Sequence, residues 1–567
     1  MKSWFTDTVV NAKYPLFTRA NAGEVAPAPL TPLGWTLLWQ RGCTPGTVDA
    51  YFESGVFDPS ESDGLDTIYG CFGGYLMLNL SILRRRAARA PGTSVTAMEQ
   101  LLLGQHTGVP PYQPDPADDA PERQAEIGAR LQRLLAVTEL PQLDEDARLV
   151  RRIRSARGDL TEFTDHELVS RARDLASVVR QIYPRHVLMS TGAGAGDGML
   201  RRACAAVGRA DLAVGFISGI GGVDSVGPVR DLWEMSRRTR HAPIIDRTFE
   251  SGGPAAVLDL LNRESGSDLD GFRGSWERYI AEYGYRGAAE WDPGADSWQT
   301  RPELLLALLN GLRRIDDDRA PDLSAESADH SALRAEFLAA EPDSETTELL
   351  DNGLRVSALY LAGRERSKTN LMIVVNEMRS AISELGRRHL ADGAAVAMLR
   401  DDELDDFIAA PGSFDDEIRE RSMRFGELRD LEPPYIVDTA PPPLSNWPVR
   451  AVTDTHPRAQ RGDVLTGLAG SPGTVAGRAR ILRDSDDVDL LQSGDVLITP
   501  TTDPAWTPAF LIAAAVVVET GSVLSHAVIV SRELGTPSVI SLAAATTRIR
   551  DGDRILVDGA HGTVTIL

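Results

Sequence analysis

The chain has 567 residues, enough for three to four domains at roughly 150 residues each, and at 42% hydrophobic and 25% charged it has a globular composition. Its 59 Lys plus Arg against 82 Asp plus Glu give a formal charge of −23. No basic block offsets this, which argues against sequence-independent binding to nucleic acid or anionic membrane, since both need clustered cations. Three widely spaced cysteines, Cys43, Cys71 and Cys204, form neither a disulfide framework nor a zinc ligand set and suggest a reducing compartment. The N-terminus lacks the basic start and apolar stretch of a signal peptide, and the longest apolar run, Ala509–Val518, is about half a membrane span. A cytoplasmic protein is expected.

Residues 1 to about 115 are rich in Pro, Gly and aromatics and read as irregular structure with short helices, ending in a Pro-rich stretch at 109–121. From 122 to 428 the apolar spacing is helical, as in Ile127, Leu131, Leu134 and Leu135, or Leu304, Leu305, Leu308 and Leu309. Within it, TGAGAGDG (Thr191–Gly198) has glycines at 192, 194, 196 and 198 that do not satisfy GxGxxG. It is read as a flexible helix–helix loop rather than a nucleotide cradle. The proline density between Leu431 and Gly462 forbids continuous helix and predicts an extended linker. Beyond it, GRARIL, GDVLITP, AAVVVET, PSVIS, RILVDG and GTVTIL are short β-rich runs bounded by Gly, Pro or Asp, the pattern of a compact α/β domain.

The most informative segment is ETGSVLSHAVIVSRELGTPSVI (Glu519–Ile540). Ser525 suits an N-cap, His526 to Leu534 can form two to three helical turns, Gly535 fits the position just past the helix, and Pro537 prevents continuation. His526 is thereby placed in a first helical turn, where backbone N–H groups and the helix dipole favour negative charge, so a phosphoryl group on the imidazole would be stabilised there. A histidine in a short helix, taken alone, is more often structural.

This run resembles the phosphohistidine signature of the swivelling, mobile domain of phosphoenolpyruvate-utilising enzymes and dikinases. The resemblance extends over SPGTVAGRARIL (Ser471–Leu482), GDVLITPTTDPAWTP (Gly494–Pro508) and DGDRILVDGAHGTVTIL, with Ser522 departing where the family usually has a second glycine. It implies that His526 carries the phosphoryl group and that Thr520, Gly521, Ser525 and Arg532 shape its loop and helix. Four upstream patches resemble the acceptor-binding domain of the rifampicin phosphotransferase family, which includes phenylphosphate synthase. They are Thr18–Leu33, Tyr69–Ser81, YGYRGAAEWD (Tyr283–Asp292) and RERSKTNLMIVVNEMR (Arg364–Arg379).

On a continuous helix Lys368 lies about 40° and Arg379 about 60° from Arg364, so three cations share a stripe that could offset charge on a transferring phosphoryl group. A solvated charged face is the competing reading, and the RExxK resemblance favours function at Arg364 and Lys368. Arg286 and Glu290 are candidates because the family has a related Gly-His-Arg-Gly run; Tyr285 stands at its histidine, which puts any acid or base role there in doubt. Asn21 and Glu24 could orient the acceptor or serve as caps and turns. The other histidines, among them His186 and His389, show no metal-ligand pairing and are read as structural, as are tryptophans such as Trp39 and Trp298.

The expected architecture is multidomain: a large, mostly α-helical acceptor-binding domain over 1–430, a Pro-rich linker over 431–462, and a compact α/β swivelling phosphohistidine domain over 463–567. No ATP-grasp module is found. The resemblance then implies that a separate ATP-grasp subunit, binding ATP and Mg²⁺, charges His526 while giving AMP and phosphate, and that the acceptor is a small organic hydroxyl, an alcohol or a phenol. No cofactor, metal, nucleic-acid or membrane partner is expected on this chain. A phosphohistidine carrier without its own acceptor reaction, or a degenerate small-molecule-binding homologue, are the alternatives.

Overall fold

The computed structural model describes residues 4–567 apart from 104–107, 116–117, 119–120, 219–225, 264–266, 316–329, 451–456, 484, 504–505 and 522–524. Ser522 thus lies outside the described residues, as does part of the linker. The chain divides into two compact units, one of residues 1–192, 289–295 and 366–453, the other of 193–288, 296–365 and 454–567. The helices that position the functional residues are α1 (Asp165–Ala206), α2 (Val226–Arg238), α3 (Pro243–Arg263), α4 (Pro302–Arg313), α5 (Ser344–His389), α6 (Thr507–Ile512) and α7 (His526–Glu533).

The first unit holds a four-stranded sheet of β1 (Leu16–Thr18), β2 (Tyr69–Phe72), β3 (Tyr75–Asn79) and β4 (Ile436–Asp438) in the order β2-β3-β1-β4. The N-terminal region is therefore more regular than its Pro and Gly content suggests. Residues 431–450 also depart from the extended linker. Phe17 pairs with Val437, Leu431 bridges Val449, and Val437, Leu444 and Trp447 are buried. The prolines do prevent helix, but apolar side chains between them gain more from burial in this unit than from staying extended in water. Fully buried Arg89 donates to Asp118 at 2.8 Å and to Glu61 at 2.7 Å, tying the start of this unit together.

In the second unit an eight-stranded sheet is built from β5 (Val464–Thr466), β6 (Leu468–Ser471), β7 (Thr474–Ile481), β8 (Asp495–Thr499), β9 (Ala515–Val518), β10 (Ser538–Ile540), β11 (Arg554–Asp558) and β12 (Thr563–Ile566). Their order is β5-β12-β11-β7-β8-β9-β10-β6, with β7 to β10 parallel and the flanking pairs antiparallel. The parallel centre explains why β9 reads Ala-Val-Val-Val without alternation, since both its faces are covered. Val496, Ile498 and Val517 face one core; Leu497, Val516 and Val518 face another that includes Trp506, Phe510 and Val528.

That second core also takes in Leu232 of α2, Ile245 of α3 and Leu305, Leu309 and Leu312 of α4. The expected division into 1–430 and 463–567 is thus corrected: residues 193–288 and 296–365 belong to the same compact unit as the C-terminal sheet, because they bury their leucines in one core with it. The glycine run at 191–198 is a second correction, being wholly helical inside α1. Gly196 explains why: a Cβ there would stand 2.5 Å from Ser357 Oγ and 2.8 Å from Ser357 N of α5. Close helix–helix approach outweighs the roughly 1 kcal/mol helix penalty of glycine at this position.

Candidate functional site

His526 begins α7 as predicted. Ser525 has extended dihedrals (φ −70°, ψ 161°), its Oγ accepts from Val528 N at 3.4 Å, and Gly535 ends the helix with φ 64°. The half-buried imidazole is flanked by two buried hydroxyls, Thr502 Oγ1 at 3.4 Å from Nδ1 and Thr507 Oγ1, at the start of α6, at 3.2 Å from Nε2. The Phe510 ring stands edge-on to it at 6.0 Å. Both ring nitrogens are therefore oriented while part of the ring stays reachable. Sequence reasoning missed both threonines, whose signal was the TPTTDPAWTP stretch already quoted.

Residues 519–521, which lead toward the helix, are held by hydrogen bonds. Thr520 N donates to Pro500 O at 3.0 Å, Ser541 Oγ donates to Gly521 O, and Glu519 Oε1 accepts from Thr546 N and Oγ1, each at 2.6 Å. Arg532, on the far end of α7, is buried and donates from Nε to Gly470 O of β6 at 2.8 Å; burial pushes its guanidinium down to about 9, with Asp197 of α1 opposing that shift. Its contact fixes the helix to the sheet rather than facing the imidazole.

The upstream candidates separate into different roles. In the first unit Lys368 Nζ is 3.1 Å from Glu290 Oε2, a pair in which the carboxylate is 2% and the ammonium 18% exposed. Arg379, also in this unit, is 2% exposed and donates to Ala295 O (2.6 Å), Asp292 O (3.0 Å) and Asn376 Oδ1 (3.0 Å). The expected cation stripe is corrected at that residue: its donors are turned onto main-chain carbonyls of the 292–295 loop. Asp292 supports the same loop, accepting from Thr31 N and Oγ1 and from Gly294 N, while burial pushes its carboxyl up. Asn21 and Glu24 share a short helix, Asn21 Nδ2 lying 3.5 Å from Glu24 Oε2.

In the second unit Arg364 Nη1 is 3.0 Å from Glu365 Oε1. Arg286 is buried with its guanidinium 5.6 Å over the Tyr285 ring, and its carbonyl accepts from Trp298 N at 2.8 Å. His186, read from sequence as structural, lies in the first unit with Nδ1 3.0 Å from Ser367 Oγ, the residue before Lys368. Its ring is 5.8 Å from that of Trp291, the residue after Glu290. Among the described residues no group of His, Cys, Asp and Glu could hold a metal ion, and no helix is long and apolar enough to cross a membrane.

Residues 491–562, which contain the His526 helix and both threonines, match the mobile domain of PEP-utilising enzymes. Residues 186–365 match the fourth domain of rifampicin phosphotransferase. A rifampicin phosphotransferase of Streptomyces sviceus is 30% identical over 308 residues, 52% of this chain and 34% of that protein. The uncharacterized phosphotransferase YvkC of Bacillus subtilis is 26% identical over 351 residues, 60% and 41% of the two chains. The prodigiosin synthesizing transferase PigC of Serratia marcescens is 28% identical over 342 residues, 57% and 37%. The chain spans about a third to two fifths of the length of these relatives.

Proposed function

We propose that the protein is a phosphotransferase component that carries a phosphoryl group on His526 and passes it to the hydroxyl of a small organic acceptor, an alcohol or a phenol. The observation that carries this reading is the half-buried His526 at a Ser525-capped helix start, inside a stretch matching the mobile domain of PEP-utilising enzymes. Backbone N–H groups at that helix start favour the charge of a phosphoryl group, and a covalent intermediate splits one reaction between two pockets. In this reading an ATP-grasp partner subunit with Mg²⁺ converts ATP to AMP and phosphate while charging His526. Lys368 and Arg364 offset charge on the transferring oxygens, and Glu290 holds Lys368 in place.

The relatives named rifampicin phosphotransferase make rifampicin a first acceptor to try, with phenol beside it. The test is to incubate the chain with β-labelled Mg-ATP, alone and with an isolated ATP-grasp protein. Acid-labile, base-stable label is expected only with the partner and only when His526 is present. Label retained in His526→Ala would sink the assignment of the carrier, and label acquired without a partner would overturn the partner requirement.

A further inference from the structure

We infer that His186 is the general base that takes the proton of the acceptor hydroxyl; this rests on the acceptor reaction just proposed. Three separate stretches of the first unit meet here. His186 comes from α1, Glu290 and Trp291 from the 289–295 stretch, and Ser367 and Lys368 from α5. Ser367 Oγ is 3.0 Å from His186 Nδ1, and the adjacent Lys368 reaches Glu290 at 3.1 Å. The His186 ring lies beside Trp291 at 5.8 Å and Tyr183 at the same distance, and Tyr183 OH in turn meets Tyr69 OH at 3.0 Å. A titratable ring is thus packed against the chain neighbours of a buried ion pair, on a wall of aromatic rings.

The groups divide the work by their chemistry. Glu290 is nearly fully buried and engaged with Lys368, so it is a counter-charge and not a proton acceptor. Lys368 supplies positive charge to the phosphoryl oxygens. Imidazole is the side chain whose ordinary pKa suits proton exchange near neutrality, and His186 is half-buried, open enough for a substrate to reach. In the tautomer that donates Nδ1–H to Ser367 Oγ, the basic nitrogen is Nε2. In the transfer, the P–N bond of phosphorylated His526 breaks with its electron pair returning to the ring, which is protonated at its other nitrogen and leaves as neutral imidazole. A P–O bond forms to the acceptor, whose hydroxyl proton passes to His186 Nε2 and then to solvent. Removing a general base costs typically 10² to 10⁴ in rate.

The experiment loads His526 chemically with labelled phosphoramidate, adds phenol or rifampicin, and follows label in the product for wild type, His186→Asn and His186→Ala. Asn can keep a donor to Ser367 but accepts no proton, so it separates catalysis from packing; thermal melting and His526 loading check that each variant folds. The expected result is a wild-type transfer slowed at least 100-fold in both variants with unchanged melting, and recovered in His186→Ala by added free imidazole. A helix-to-helix contact alone would leave His186→Asn close to wild type, and that outcome, or a slow His186→Ala that imidazole does not rescue, overturns the inference while leaving the acceptor reaction intact. Absence of transfer from wild type to either probe overturns the acceptor reading itself and the inference with it.

Discussion

The Lys368–Glu290 pair allows structural and functional roles to be told apart. Substituting Lys368→Met removes the cation facing a carboxylate that is 2% exposed. Leaving a buried charge without its partner costs about 3–5 kcal/mol, and the 18% exposure of Lys368 puts this case near the lower end. If the ammonium also acts on the transferring phosphoryl group, transfer should slow by about 10² to 10³, the usual size of one preorganised electrostatic contact. The double variant Lys368→Met with Glu290→Gln removes both charges, so stability should return to within about 1 kcal/mol of wild type while transfer stays slow. Because the chain has two compact units, stability is best read by hydrogen exchange along α5, with denaturant midpoints as a second measure. Wild-type transfer from the double variant would refute the functional role and reduce the pair to a clamp between α5 and the 289–295 stretch.

Gly196→Ala should destabilise the second unit by about 1–3 kcal/mol, because Ser357 backbone cannot yield to a Cβ at 2.8 Å; Gly194→Ala, exposed on the same helix with nothing within 4 Å, should stabilise it by up to about 1 kcal/mol. Equal thermal shifts in the two would contradict the close-packing explanation. Ser525→Ala should cost about 1 kcal/mol of local stability, read as faster amide exchange over His526–Val530, while the Arg532 contact to Gly470 keeps the far end of α7 protected. Burial raises the Glu61 carboxyl, but hydrogen bonds from Arg89, Asp58 N and Arg123 outweigh it and hold the group down at about 2. A depressed carboxyl stabilises the fold above its unfolded value near 4.5 and loses that contribution as pH falls toward 2, so Glu61→Gln should flatten acid unfolding of the first unit across that window.

The His526 helix was legible because its signals are local: a Ser cap, a Gly stop, a Pro beyond it and a contiguous family signature. Thr507 reaches the imidazole through the packing of α6 against α7 and Thr502 from the loop after β8, neither of which a spacing rule encodes. The glycine run misled because glycine is a loop former by intrinsic propensity, whereas here its missing Cβ admits another helix. Arg379 looked like its stripe-mates Arg364 and Lys368, but helical phase does not say whether a guanidinium meets solvent or carbonyl oxygens. The division into units was hidden for a similar reason. Leu305 and Phe510 share a core, and apolar periodicity reports that a face is buried without naming its partner.

The pairing of Phe17 with Val437 sets a timetable for synthesis. β1 can join β3 early, since Phe17 meets Asn79, but its other edge has no partner until residues 436–438 have been made. At about 5–20 residues per second the nascent chain carries that open edge for roughly 20–80 s. An unpaired strand edge is a template for other chains, so this interval, rather than the finished protein, is where the first unit is most exposed to aggregation and to chaperone capture. Ribosome-bound chains stopped before residue 436 should therefore bind holdase chaperones that chains stopped after residue 450 and the extra length of the exit tunnel no longer recruit.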